Sequence, residues 1–439
     1  MNLIKLKSFL FENKTSAQTI TKNSFWLFLG QMVSRALRAI LVIYSARVLG
    51  VSGWGAFSYA LGIVTMLTVF SDFGINALIT RQGANQEKRD QYIVTSLGIK
   101  IGLIIILSIG AIFFAQNFAK LEEAKIIIPL LLFVFIFDTL RDLGSAITRS
   151  MEKMQIESAL NILTNASILI FGILFLYKEA SVSNLAIAYS LGSLIGFSAC
   201  FFILRKNFTN LKANFKPELI IEIIKSAWPY GMLIIMGIVM LNTDIIILGS
   251  VATAEAVGYY SSGQKLIQLL YVIPTLIGIS AFPQLARFAQ SAPEKARAIL
   301  KKTVLVSVLM AVFFVSILLP LSKFIIQAAF GDQYLKSIPV FQILIFSLLV
   351  VFPSSILGQA IFAYKKERYF IWISLVTILG NALLDLILIP KYGIEGAAYA
   401  TLIMQTITGI FLIAEVNKIT GSIIPSLKSF RDIFAKEEI

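Results

Sequence analysis

The sequence predicts an all-α polytopic membrane protein of twelve transmembrane helices, arranged as two six-helix parallel repeats. Three observations predict it. The 439 residues are 57% hydrophobic and only 14% charged, with a mean hydropathy of +0.84. Apolar runs long enough to cross hydrocarbon recur from end to end. Segments of the first half also echo segments of the second at nearly constant displacement.

The chain opens with an amphipathic segment, residues 1–22, that shows no small-residue cleavage site and so reads as retained. Its Leu3, Ile4, Leu6 and Phe9 suit an apolar side lying along the inner membrane surface. The N-terminal lobe, 23–213, holds spans near 25–47, 54–79, 92–115, 125–147, 157–177 and 183–204. The C-terminal lobe, 214–418, holds spans near 219–248, 256–281, 303–327, 338–363, 369–389 and 396–417, and a tail follows at 419–439. With the N-terminus inside, twenty-five Lys and Arg fall in the inner segments, against Lys120, Lys125, Lys178, Lys336 and Lys391 outside. That bias predicts both termini in the cytoplasm.

The echo is ordered. "SFWLFLG" at 24 returns as "SAWPYG" at 226, "GAFSYALG" at 55 as "GYYSSGQK" at 258, and "LAIAYSLGSLIG" at 185 as "GAAYATLIMQTI" at 396. Six spans per copy bring the chain back to the same side, so the copies are parallel repeats about an axis along the membrane normal. Ten of the eleven prolines follow residue 213. Pro229, Pro274, Pro320 and Pro353 fall inside spans, where each removes a helix hydrogen bond, either as a fixed packing kink or as a point of bending.

Composition excludes several chemistries. There is no His, which removes imidazole catalysis and His-ligated metal, and a single Cys, Cys200, which removes an intrachain disulfide. The net charge of +14 is spread over many connections rather than gathered on one basic module, so nucleic acid is not a partner. Outer connections are short and hold no D-x-D motif, which argues against a sugar-transferring or polymerising enzyme.

The stretch "IYSARVLGVSGWGAFSYALGIVTMLTVFSDFGINALITR" at 43–81 carries Arg47-x-Leu49-Gly50, Gly55-x-Phe57, Asp72-Phe73-Gly74 and a closing Arg81. "NTDIIILGSVATAEAVGYYSSGQKLIQLLYVIPTLIGISAFPQLAR" at 242–287 carries Asp244, Val257-Gly258-Tyr259-Tyr260 and Phe282-Pro283. Across nearly the whole chain these resemble the polysaccharide biosynthesis and O-antigen flippases, the polysaccharide-transporter branch of the multidrug/oligosaccharidyl-lipid/polysaccharide exporter superfamily. The resemblance implies two lobes around a central cavity lined by spans one, two, seven and eight. It also implies a cargo, an undecaprenyl-pyrophosphate-linked oligosaccharide for O-antigen, capsule or a related surface glycan. The setting it implies is the bacterial cytoplasmic (inner) membrane, with membrane lipids and the glycosyltransferases and polymerase of the same pathway as partners. Peptidoglycan-lipid relatives generally have fourteen spans rather than twelve.

Charges inside spans are the candidate site. Arg35 lies about 15 Å of helix rise into the first span, and Arg38 follows on the same face. Each costs roughly 2.5–3.5 kcal/mol if left in lipid. They hold an anionic ligand such as pyrophosphate, whose oxygens match the guanidinium fork, or they pair with Asp72 or another carboxylate. Lys265, by the implied position of its helix, is the third substrate cation. Asp72 and Asp244 are candidate coupling or cavity carboxylates, with Asp244 leading, since a buried carboxylate can take Na⁺ or a proton. Lys100, Asp138, Arg141, Asp142 and Asp385 are secondary cavity or structural charges. Asp138, Arg141 and Asp142, at i, i+3 and i+4, can pair among themselves. Lys225 and Arg47 read as snorkelling anchors, and Arg81 and Arg287 as lipid-phosphate anchors or as guides for the incoming head group. No cofactor or metal is expected, and the energy source is membrane potential, H⁺ or Na⁺. The competing reading is a multidrug/cation antiporter of the same fold, which calls for an acidic rather than a basic cavity.

Overall fold

In the computed structural model, the residues described are 16–82, 89–118, 120–207 and 210–421. The predicted apolar side of Leu3, Ile4, Leu6 and Phe9, and nearly all of the 419–439 tail, lie outside them. Among the described residues the regular structure is helical throughout. The helices are α1 (Ser16–Asp72), α2 (Ile75–Gln82), α3 (Arg89–Phe118), α4 (Glu122–Ser150), α5 (Met154–Lys178), α6 (Val182–Leu204) and a short α7 (Leu211–Asn214). They continue as α8 (Glu218–Val251), α9 (Ala254–Leu270), α10 (Val272–Ser291), α11 (Pro293–Leu318), α12 (Ser322–Phe330), α13 (Ile338–Ala363), α14 (Glu367–Tyr392) and α15 (Ile394–Thr420).

Each predicted span falls on described helix. Ten of the helical stretches are long and apolar enough to cross a membrane by length and composition, one of them being the doubled α1. Helix α4 is not among those ten, because Lys125, Asp138, Arg141 and Asp142 are spread along it. It is nonetheless one of the most enclosed helices of its unit, with Leu131, Phe135, Leu143 and Ala146 buried. The motifs of the second span explain its breaks. Gly50, at φ 70 and ψ 179, turns α1 back on itself, a conformation that favours a residue without Cβ, so Arg47-x-Leu49-Gly50 ends one arm and starts the next. Asp72-Phe73-Gly74 makes the second break. Phe73 (φ 43) and Gly74 (φ 85) are left-handed, and the Asn76 N–H donates to Asp72 Oδ1 at 3.1 Å, so Asp72 caps the start of α2.

The chain forms two compact units. One runs to Asn242 and adds Thr253–Glu255; the other is Thr243–Ala252 with the chain from Ala256. In the first, α1 packs on α4 and α5, α6 packs on α4 and α5, and α2 and α3 pack on α4. Hydrocarbon gives little driving force for bringing apolar helices together, so close backbone approach matters more here than in water. The "GSLIG" stretch of α6 supplies it: a Cβ on Gly192 would overlap Ile168 of α5, and one on Gly196 would overlap Thr164. The first half of α8 belongs to this unit as well. A Cβ on Gly74 would overlap the Ala227 carbonyl and the Gly231 backbone, and Arg81 donates to the Tyr230 hydroxyl.

Four of these pairings recur in the second unit. The fourth span packs on the sixth in the first unit as α13 packs on α15 in the second, the fifth on the sixth as α14 on α15, and the third on the fourth as α11 on α13. The α10 half of span eight meets α13 as α2 meets α4. The duplicated sequence therefore folds into duplicated contacts. Prolines fall into two kinds: Pro229 and Pro353 lie inside continuous helices, whereas Pro274 follows the break at Tyr271 and Pro320 sits in the break between α11 and α12.

Gly74→Ala adds a side chain in left-handed backbone against α8, and is expected to lower stability by at least about 1–3 kcal/mol. Gly102→Ala, which meets open space, is neutral or mildly stabilising. Thermal melts of the two purified variants check this; equal melting temperatures would contradict it.

Candidate functional site

In the first unit nearly every deep charge is answered by an opposite one. Lys100 Nζ sits 2.8 Å from Asp72 Oδ1, with the lysine side chain fully buried and the carboxylate 13% exposed. Asp72 therefore serves α2 and Lys100 together, and the two candidates form one ion pair. Arg141 lies between Asp138 at 2.8 Å and Asp142 at 3.1 Å, as the i, i+3, i+4 spacing predicts. Arg149 forks onto the buried Glu157, its Nε donating at 2.7 Å.

Arg35 and Arg38 are different. Both are exposed on α1. Arg38 donates through Nε and Nη2 to the side-chain oxygen of Asn165 on α5, at 3.3 and 3.1 Å, a neutral partner. Its field also reaches Asp138, so Arg38 and Arg141 balance Asp138 and Asp142. Arg35 feels the repulsion of Arg38, and no carboxylate among the described residues stands within ion-pair distance of it. Of the deep charges the sequence places in this unit, Arg35 is the positive one left without compensation. An arginine facing lipid at the depth the sequence gives Arg35 is costly, and Arg35 stands on an exposed part of its helix. Asn165, which sequence reasoning missed, fixes the Arg38 fork in place; its own Nδ2 is tied to the Asn161 carbonyl at 2.8 Å.

The second unit holds an acidic cage. Asp244 on α8 and Asp385 on α14 are 1% and 0% exposed. Asp244 Oδ2 accepts from the Thr401 hydroxyl at 2.6 Å and from the Tyr260 hydroxyl. Asp385 and Asn381, one turn apart on α14, face the same carboxylate. Yet Asp244 Oδ1 and both oxygens of Asp385 are buried without a hydrogen-bond partner among the described residues. Asp244 and Asp385 lie close enough to share a proton, and two carboxylates so enclosed are costly to keep charged together without a proton or a small cation between them. Sequence reasoning named Asp244 and Asp385 separately and Tyr260 only as part of a motif, while Asn381 and Thr401 went unnoticed. The signal for Asn381 was its i, i+4 spacing to Asp385. Lys265 lies half-buried on α9 in this unit.

Comparison with known proteins gives consistent neighbours. The family model described as "Polysaccharide biosynthesis protein" matches residues 20–289. A putative O-antigen transporter of Shigella flexneri is 23% identical over 415 residues, covering 90% of this chain and 97% of its own length. A capsular polysaccharide biosynthesis protein of Staphylococcus aureus is 21% identical over 88% of this chain and 96% of its own, and a probable low-salt glycan biosynthesis flippase of Haloferax volcanii is 19% identical over 87% and 80%. In fold, the chain is similar to a lipid II flippase in an inward closed conformation, with a TM-score of 0.73 at 17% identity, covering 94% of this chain and 91% of that one. It is also similar to an inward-facing multidrug resistance transporter of the MATE family, with a TM-score of 0.71 at 14% identity over 90% and 98%.

Breaking the buried pair with Lys100→Met is expected to destabilise by about 3–5 kcal/mol, with Asp72→Asn in the same chain recovering part of the loss. A double-mutant cycle in thermal or denaturant unfolding checks this; additive losses would show that the two groups do not interact.

Proposed function

The chain belongs to the polysaccharide biosynthesis protein family, and on that premise we propose that it moves an undecaprenyl-pyrophosphate-linked oligosaccharide across the bacterial inner membrane, from the cytoplasmic to the outer leaflet, by alternating access. Two of its relatives are described as a putative O-antigen transporter and a probable glycan biosynthesis flippase, which supports a transport role. The observation that carries the reading is the uncompensated Arg35 beside the Asn165-braced Arg38. Two guanidinium groups on one exposed face of a spanning helix, one of them lacking a carboxylate, suit the doubly charged diphosphate that joins sugar to lipid. Lys265 is proposed as a further contact for the head group.

The basic connections, which include Arg149, Lys153, Arg205 and Lys206, are assigned to the cytoplasm by their charge, and with them both termini. Moving about two negative charges outward across an inside-negative potential of ~100 mV is favourable by about 4–5 kcal/mol, so the potential supports the direction. The Asp244–Asp385 cage is proposed as the site of a coupling cation, Na⁺ or H⁺, whose binding biases one state of the second unit. Glycosyltransferases that finish the unit inside and a polymerase that uses it outside are the pathway partners. A cation-exporting antiporter fits less well, because the exposed charge deep in α1 is basic while the carboxylates of the second unit are enclosed.

The direct test assigns leaflets in cells lacking this protein, using a membrane-impermeant reagent that modifies the lipid-linked sugar. Wild type is expected to restore exposure and Arg35→Ala to lower it at least tenfold; equal exposure without the protein, and no redundant flippase, would rule the reading out. For the cage, Na⁺ in place of choline is expected to raise the melting temperature of wild type. The gain approaches about 2.7 kcal/mol at a hundredfold excess over Kd and disappears in Asp385→Asn. If pH rather than Na⁺ moves wild type and leaves Asp385→Asn fixed, the proton is the ligand.

A further inference from the structure

Outside the charged face of α1, the first unit carries a cavity of about 390 Å³ between α3 and the segment that follows α6. Leu97, Gly98 and Ile101 form one wall, Leu211 and Phe215 the other, and Lys212 stands among them. The size lies within the ~300–1,000 Å³ range of pockets that hold small organic ligands. The wall is fastened. The Lys216 N–H donates to the Thr95 hydroxyl at 3.1 Å, and the Phe215 ring lies where a Cβ on Gly98 would be.

Three features identify the kind of occupant. The lining is apolar except for Lys212, so the ligand is an amphiphile with a long hydrocarbon part and a negative group. Cations crowd the segment: Arg205, Lys206 and Lys212 are exposed, Lys216 is half-buried, and no Asp or Glu occurs between Glu179 and Glu218. Further along α3, Ile105 and Ile109 continue the face of Gly98 and are 54% and 64% exposed, an apolar surface suited to acyl chains. Leu97 to Ile101 are eight to twelve residues from the start of α3, about 12–18 Å of rise, so the groove runs from the interface into the acyl layer.

We propose that this groove holds one acyl chain of an anionic phospholipid from the leaflet on the basic side, with its phosphate on Lys212. The lipid staples the chain between the sixth and seventh spans to the third. It is a resident of the protein surface rather than cargo, and the inference stands whatever the cargo is.

The test uses the full-length protein in vesicles of phosphatidylcholine with increasing phosphatidylglycerol, either lipid carrying brominated chains, and Phe215→Trp as the reporter. Quenching beyond that of the unsubstituted chain is expected to half-saturate at an about fivefold lower mole fraction of brominated phosphatidylglycerol than of brominated phosphatidylcholine, the factor corresponding to one lysine at an anionic surface. Lys212→Gln is expected to remove that preference while leaving quenching by either lipid at high fraction. Leu211→Trp supplies the reporter should Phe215→Trp fail to fold. Equal half-saturation for the two lipids, or a preference that survives Lys212→Gln, would overturn the proposal. Displacement of the quencher by equimolar polyprenyl phosphate would overturn it too, by assigning the groove to the isoprenoid carrier.

Discussion

A charge inside hydrocarbon needs a countercharge, a fixed dipole or water, and the deep residues of this chain are arranged around that requirement. Lys100 is answered by Asp72 and Arg141 by two aspartates, and beyond the end of the span Arg149 is answered by Glu157. What remains is then informative in sign and in place. The first unit is left with positive charge on an exposed helix face, the second with negative charge in an enclosed one. A diphosphate and a small cation are the ligands proposed for them.

The duplication shows how one helical arrangement carries both. Corresponding spans make corresponding contacts in the two units, so the scaffold is shared and the chemistry lies in substitutions upon it. Both halves use glycines for close approach and turning, as at Gly380, Gly393 and Gly396 in the second, and the second adds prolines at helix breaks. In the first, Gly192 and Gly196 admit neighbouring backbone and side chains closely, and Gly50 and Gly74 turn the chain. In the second, Pro274 and Pro320 stand at helix breaks. The Asp72-Phe73-Gly74 motif is a joint in this sense: its carboxylate caps α2 and holds Lys100, and its glycine receives the start of α8.

Much of the fold was legible because hydropathy has the length scale of a bilayer and needs no knowledge of contacts. Helix α4 was legible only by context, since its charges mask its apolar length and become harmless once Arg141 lies between Asp138 and Asp142. That local triplet could be read from spacing. The Asp72–Lys100 pair could not, because nothing in two residues 28 apart tells which faces of two helices meet. The acidic cage was half legible. Asp244 and Asp385 announce themselves as carboxylates in apolar runs, but they converge only through the packing of α8 and α14. Thr401 and Tyr260 are ordinary residues until Asp244 gives them an acceptor. Asn165 was invisible for the same reason, a neutral amide whose role exists only opposite Arg38.

The central claim is that the Arg35–Arg38 face is wet and receives an isoprenyl-linked diphosphate. Gln31 is exposed one turn before Arg35 on the same face of α1, and Cys200, the only cysteine, is buried. The measurement is the reaction rate of Gln31→Cys, in a Cys200→Ala chain in membranes, with a charged, membrane-impermeant thiosulfonate. The account predicts that the thiol reacts, that a polyprenyl pyrophosphate slows the reaction, and that this protection is lost when Arg35 and Arg38 are both alanine. A thiol that does not react, or one whose reaction the pyrophosphate leaves unchanged with both arginines present, would contradict it.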